Sequence, residues 1–564
     1  MKFKDYVYER PDVKAIEQSF EVALKAFKTA DNMDEQSKAV ETINQLRNDF
    51  ETQATLVSIR HSLDTSDAFY ETENDFMDET GPIVEGMVSK YYEALVDSKF
   101  RKQLEEKVGN QIFNIAELLL KTFKPEIIED LQEENRLSSK YMKLIASAKI
   151  MFDGEERNLS QMEPYTNSPD REIRKQAQEA KTEFFVNNET EFDKLFDELV
   201  KVRTKIAEKL GFESFTELGY ARLMRSDFDQ EMTANYRKQV YESLVPVATE
   251  LRRRQAKRLG LEKLEYYDEA LEFTTGNAKP KGNPEWIISN GKKMYKEMSP
   301  ETDEFFNFML DNELLDLVAK KGKASGGYCT FIDKYKAPFI FSNFNGTSGD
   351  VDVLTHEAGH AFQVYCSKDY TLPEYIWPTY EACEIHSMSM EFFAWPWMKN
   401  FFEEEEAKYK FTHLSGALLF IPYGVTVDEF QHWVYENPKA TPSERKTMWR
   451  EIEKKYLPHI DYGDNEFLER GGFWFRQGHI FQNPFYYIDY TLAQISAFEF
   501  WEKTNIDRNK AWAEYLKLCK AGGSQPFLEL VSLANLSNPF IDGTIKRIVE
   551  PVNSYLAKID DTKL

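Results

Sequence analysis

His356-Glu357-Ala358-Gly359-His360 lies at the centre of a stretch, Asn345 to Glu391, around which the rest of the chain is arranged. Two histidines four apart on a helix project from one face about a turn apart, so both imidazoles reach one Zn²⁺ and Glu357 reaches a water on it. The chain has only 8 histidines, and two fall here with a glutamate directly after the first. The competing reading is a solvated helix whose histidines have no partner. It is tested by the third protein ligand that a catalytic zinc site needs.

HExxH sites differ in where that ligand comes from. A metzincin spacing needs glycine at 363 and histidine at 366, where this chain has Gln363 and Cys366, so that class is excluded. A thermolysin-like spacing puts a glutamate nineteen residues past His360, where the chain has Thr379. Cys366 falls about 120° round the helix from His360 and reads as a core residue. A following helix offers Glu381, Glu384 and Glu391 within about 80° of one face, while His386, about 200° from Glu384, points away. A carboxylate from there gives three protein ligands and an open position for water. Spacing alone leaves Glu381 and Glu384 equal.

Before the motif, Tyr328-Cys329-Thr330-Phe331-Ile332 and Pro338-Phe339-Ile340-Phe341-Ser342-Asn343-Phe344 favour strands joined at Asp333-Lys334. The second strand leads into the metal helix and reads either as an ordinary hairpin strand packing under that helix or as an edge strand; the expectation is an edge strand, with Phe341 to Gly346 aligning an extended peptide by strand addition.

Zinc hydrolysis of an amide develops negative charge on the former carbonyl oxygen, so a donor besides the metal is needed. Gly478-His479-Ile480-Phe481-Gln482-Asn483-Pro484-Phe485-Tyr486-Tyr487-Ile488-Asp489-Tyr490 joins one of the few histidines to a group of tyrosines. With 29 tyrosines in the chain, such a group alone usually means packing, and the histidine is what sets it apart.

The remainder is helical in texture. Ile16, Phe20, Ala23, Leu24 and Phe27, then Val88, Tyr91, Tyr92 and Leu95, recur at three- and four-residue spacing, and the pattern runs to about Ile145. A hairpin is expected around Asp153-Gly154, and Ser168-Pro169-Asp170 reads as a helix start with Ser168 as cap. Long helices then continue to a stop at Gly260. Aromatics at 14% and hydrophobics at 42% of 564 residues suit a globular enzyme with a sizeable core. A net charge of −25 argues against nucleic acid and anionic membranes as partners. Four scattered cysteines do not form a disulfide framework, and no apolar run reaches the ~18 residues of a membrane span. The expectation is a cytoplasmic protein, its oligomeric state open.

HEAGH followed by Glu384-Ile385-His386-Ser387 and Glu391 resembles the thimet oligopeptidase and oligoendopeptidase F family, whose third zinc ligand is a Glu with Ser three residues on and a second Glu seven on. Asn345-Gly346-Thr347-Ser348-Gly349-Asp350-Val351 is similar to that family's approach to the helix. The resemblance covers about residues 200 to 550. It implies Glu384, not Glu381, as third ligand, and Glu391 as an acceptor for a ligand histidine or a structural acid. It also implies that His479, Tyr487 and Tyr490 bind substrate and the transition state. The His-to-Tyr interval is one residue shorter than in the thimet branch and looks like the oligoendopeptidase F branch. Tyr486 is thus a possible substitute, and the expected order of donors is Tyr490, Tyr487, Tyr486.

The expected protein is mainly α, a two-lobed zincin-like metallopeptidase with a small β-sheet beside the active-site helix and a deep substrate channel. Residues 1–150 form a helical lid region, 151–200 a connecting hairpin and helix, and 201–564 the catalytic domain. It hydrolyses internal bonds of short peptides with one Zn²⁺ on His356, His360 and Glu384, and with Glu357 as general base. Alternatives are a dipeptidyl carboxypeptidase-like exopeptidase and a peptide-binding protein without catalysis.

Overall fold

The computed structural model describes all 564 residues. Six helices open the chain: Val13–Thr29, Met33–Leu63, Ala68–Val96, Arg101–Val108, Gln111–Thr122 and Ile128–Ala146. Short polar side chains start three of them. Asp12 accepts from the Ala15 amide, Asn32 from Glu35, and Asp67 from Phe69 and Tyr70, each satisfying N–H groups that the first helical turn leaves unpaired. The periodic apolar residues Phe20, Ala23, Leu24 and Phe27 meet Tyr91, Tyr92 and Leu95 in a core of 17 buried residues, apart from the 104-residue core beneath the rest of the chain. Only Leu372 and Tyr375 reach into the smaller core from outside these helices. Burying each large apolar side chain contributes about 1.5–3 kcal/mol, so the helices hold together largely on their own contacts.

The expected hairpin is present as β1 (Ile150–Phe152) and β2 (Glu155–Arg157), paired antiparallel. Asp153 at φ 51° and Gly154 at φ 74° supply the two positive angles that a tight two-residue turn needs. The next helix start differs from expectation. Asp170, not Ser168, is the cap of Arg171–Asn187, accepting from the Glu172 and Ile173 amides, and Pro169 lies outside the helix. A carboxylate adds a full negative charge at the positive end of the helix, which a hydroxyl does not.

The sheet also corrects an expectation. β3 (Leu315–Val318), β4 (Tyr328–Ile332) and β5 (Ala337–Phe344) lie in the order β3-β5-β4, with β5 parallel to β3 and antiparallel to β4. β5 is therefore central, and the strand with a free edge on the β4 side is β4. Pro338 is tolerated because β3 pairing begins only at Ile340, so the missing N–H costs no ladder bond on that side.

β5 turns directly into the helix Gly349–Ser367 that carries HEAGH. Gly346 takes φ 84° in this turn, and Asp350 accepts from the Asn345 and Gly346 amides at 2.8 and 2.9 Å. The helix Tyr380–Phe393 packs against it on one side and on the long helix Tyr487–Ala521 on the other, which bends at Asp507. No helix is long and apolar enough to cross a membrane.

Candidate active site

The middle of HEAGH contains a glycine because the two helices meet there. A β-carbon on Gly359 would stand 2.6 Å from Ser387 Cα and 2.7 Å from the His386 carbonyl oxygen, closer than real contacts allow. This approach puts Glu384 under both histidines. His356 Nε2 and His360 Nε2 lie 3.3 and 3.2 Å from Glu384 Oε2, and the ligand atoms of the three residues fall within 4.8 Å of one another. Two imidazole nitrogens and a carboxylate oxygen converging on one point form the donor set of a catalytic zinc site, and the residues fit that ion. Glu381 is turned away. It is buried with both carboxylate oxygens free of hydrogen bonds, in the field of Arg225. His386 is fully buried against Tyr515, as its helical angle requires.

Behind His356 stands Glu391. Its Oε1 accepts from His356 Nδ1 at 2.7 Å, leaving Nε2 bare for a metal. Its Oε2 accepts from His413 Nε2, also at 2.7 Å. Because the Trp395 indole N–H donates to His413 Nδ1 at 3.2 Å, the His413 proton belongs on Nε2. Ser387 Oγ donates to Glu384 Oε2 at 2.8 Å and steadies the carboxylate. His360 Nδ1 has no protein partner.

Glu357 lies next to this group with Oε2 free of any protein hydrogen bond, and burial pushes its carboxyl above the ordinary range. His356, Glu357, His360 and Glu384 open on one chamber of about 1550 Å³. Its other wall comes from the N-terminal helices through Arg47, Glu51, Glu85, Tyr92 and Tyr141, and from β4 through Tyr328, Cys329 and Thr330.

His479 and the tyrosines reach the same chamber from the C-terminal part. Tyr423 Oη donates to Gln477 Oε1 at 2.8 Å, which turns the Gln477 amide nitrogen toward His479 Nδ1, also at 2.8 Å. The His479 proton is therefore on Nε2, donated to Tyr490 Oη at 3.2 Å, and the Tyr490 proton is free to point elsewhere. Burial lowers the His479 pKa to about 4, so the ring is neutral near pH 7. Tyr486 lines the chamber too and donates to Glu384 Oε1 at 2.5 Å. Tyr487, expected ahead of Tyr486, packs against Phe420 and Tyr423 and borders a smaller cavity of about 550 Å³ behind the His479–Tyr490 pair. Sequence reasoning did not single out His413, Gln477 or Tyr423. The scarcity of histidine was a usable signal for the first; nothing marked the other two.

Comparison with known proteins identifies the family and the fold. Residues 3–123 match the peptidase M3 N-terminal domain and residues 164–550 match peptidase family M3. An oligoendopeptidase F homolog of Borreliella burgdorferi is 24% identical over 464 residues, 77% of this chain and 74% of that protein. A solved structure of PZ peptidase A with an inhibitor is 61% identical with a TM-score of 0.99, each chain fully covered. A Bacillus anthracis protein provisionally named oligoendopeptidase F is 59% identical with a TM-score of 0.95, covering 100% of this chain and 99% of that one. The chain belongs to peptidase family M3.

Proposed function

We propose that this peptidase is a zinc-dependent endopeptidase that cuts internal bonds of short oligopeptides. The observation that carries this reading is the convergence of His356, His360, Glu384, Glu357, His479, Tyr486 and Tyr490 on a single chamber. Zn²⁺ held by His356, His360 and Glu384 would act as a Lewis acid, making a water nucleophilic near neutral pH and polarising the scissile carbonyl. Glu357, its Oε2 free of any protein hydrogen bond, takes the proton of the attacking water and passes it to the leaving amine. Tyr490, its hydroxyl oxygen already serving His479, directs its own proton to the developing oxyanion, and Tyr486 joins it by turning its hydroxyl away from Glu384 Oε1. The free edge of β4 offers backbone groups to an extended peptide along the chamber wall. Enclosure between the N-terminal helices and the catalytic part admits an unfolded segment and excludes a folded surface, so residues 1–150 act as the lid.

One observation favours the exopeptidase alternative. Arg476, exposed on the chamber wall, is in no ion pair and offers a partner for a free terminal carboxylate. A quenched fluorogenic peptide amidated at its C-terminus separates the readings. Internal cleavage, seen by mass spectrometry and lost in Glu357→Gln and on chelation, is the expected result. Cleavage only of free-carboxylate peptides, two residues from the end, would sink the endopeptidase reading.

A further inference from the structure

Phe485 precedes the two tyrosines that face the chamber, and its backbone is unusual. It is fully buried at φ 68°, a left-handed conformation that bulky residues rarely adopt. Three features hold it there. Its N–H donates to Gln431 Oε1 at 2.9 Å, and its carbonyl oxygen accepts from Arg225 Nη2 at 2.7 Å. Its ring lies over Gly219, where a β-carbon would stand 2.6 Å from the ring. The same Arg225 nitrogen donates to Asp489 at 2.6 Å, and both side chains of that pair are fully buried. Arg225 thus grips the residue before Tyr486 and the residue before Tyr490. None of Gly219, Arg225 and Gln431 lines the chamber.

We infer that Arg225 and Gln431 are positioning residues of the reaction, which hold Phe485 left-handed so that the Tyr486 and Tyr490 hydroxyls stand at the scissile bond. This rests on the endopeptidase reading above. Without the two clamps the backbone at 485 relaxes to negative φ, which swings the next peptide unit and displaces Tyr486 from Glu384 and Tyr490 from His479.

The test compares Gln431→Leu and Gly219→Ala, each alone and combined with Tyr486→Phe/Tyr490→Phe, in the zinc-loaded full chain. Gly219→Ala removes no polar group and pushes the Phe485 ring directly, so it stands in if Gln431→Leu does not fold. Each change is expected to lower kcat about 10- to 100-fold with KM within about threefold. In the tyrosine-less background the same change is expected to lower kcat less than about twofold, because the groups it positions are gone. Equal losses in both backgrounds, or no loss of kcat in either variant, overturn the inference while leaving the function standing. Failure of the unaltered enzyme to cut any internal bond overturns the function, and the inference with it.

Discussion

Gly359 and Ser387 are in backbone contact: the α-carbon of Ser387 lies where a side chain on Gly359 would begin, 2.6 Å from its β-carbon position. The proposed zinc ligands His356, His360 and Glu384 sit on the two helices that meet at this point, so the room between those helices depends on the absence of one methyl group. Gly359→Ala is expected to cost about 1–3 kcal/mol of stability, as overpacking does in cores. It should also weaken zinc binding by moving Glu384 away from the histidines. Urea unfolding and zinc titration against a chromogenic chelator measure the two effects; unchanged zinc affinity would count against this packing.

Glu391 holds His356 with one oxygen and His413 with the other. In Glu391→Gln, one of the two histidines meets an amide N–H in place of an oxygen. Zinc affinity is expected to fall about 10- to 100-fold, the usual scale for losing an acceptor behind a ligand histidine. Activity restored by excess zinc would identify metal binding as the lost step, and activity that stays low at saturating zinc would contradict it.

The proton on His479 is placed by Gln477. In Gln477→Glu the carboxylate at that position accepts from Nδ1–H, so Nε2 becomes an acceptor and takes the Tyr490 proton that the oxyanion needs. The expected loss is about 100-fold in kcat, with substrate affinity little changed. ¹⁵N chemical shifts of the His479 ring report the tautomer independently of turnover. Proton on Nε2 in the unaltered protein and on Nδ1 in the variant is the outcome this arrangement requires.

Glu134, on the last N-terminal helix, is bound by Arg203 at 2.7 Å and Arg222 at 2.9 Å. Burial alone would raise its pKa, but Arg222 and Arg203 pull it down to about 2 from an ordinary 4.5. A folded pKa below the unfolded one means stability present above about pH 4.5 and lost as pH falls toward 2. The shift is equivalent to about 3 kcal/mol. Arg203 also donates to the Phe481 carbonyl at 2.5 Å, so this loss loosens the N-terminal helices from the His479 segment. Urea midpoints between pH 5 and 3 should fall for the unaltered protein and stay flatter for Glu134→Gln, which starts lower at neutral pH because its arginines are left unpaired.

Much of the fold was legible because its causes are local. The N-terminal helices follow from apolar spacing and Asp or Asn caps, and the β1–β2 turn from Asp153-Gly154. What was misread depended on distant partners. β3 is four residues long and pairs in parallel with β5, with β4 lying between them in the sequence but not in the sheet, so nothing near Leu315 announces it, and without it β5 looks like an edge. Ser168 and Asp170 are both sound caps by type, and only the actual start of the helix chooses between them.

By itself the sequence determined the chemistry available here: two histidines and a glutamate at helical spacing, acids on the next helix, and a histidine beside tyrosines near the C-terminus. Those follow from the period of a helix and the donor properties of side chains, which need no knowledge of neighbours. Helical spacing left Glu384 and Glu381 equal and the family resemblance pointed to Glu384; the tertiary structure supplies the physical reason, the close approach of Gly359 to Ser387. The tertiary structure alone set Tyr486 in the chamber and Tyr487 behind it, through the left-handed turn at Phe485. Adjacent residues on a helix point about 100° apart, so where that helix begins decides which hydroxyl faces the chamber, and its beginning is held by residues more than fifty positions away in the chain.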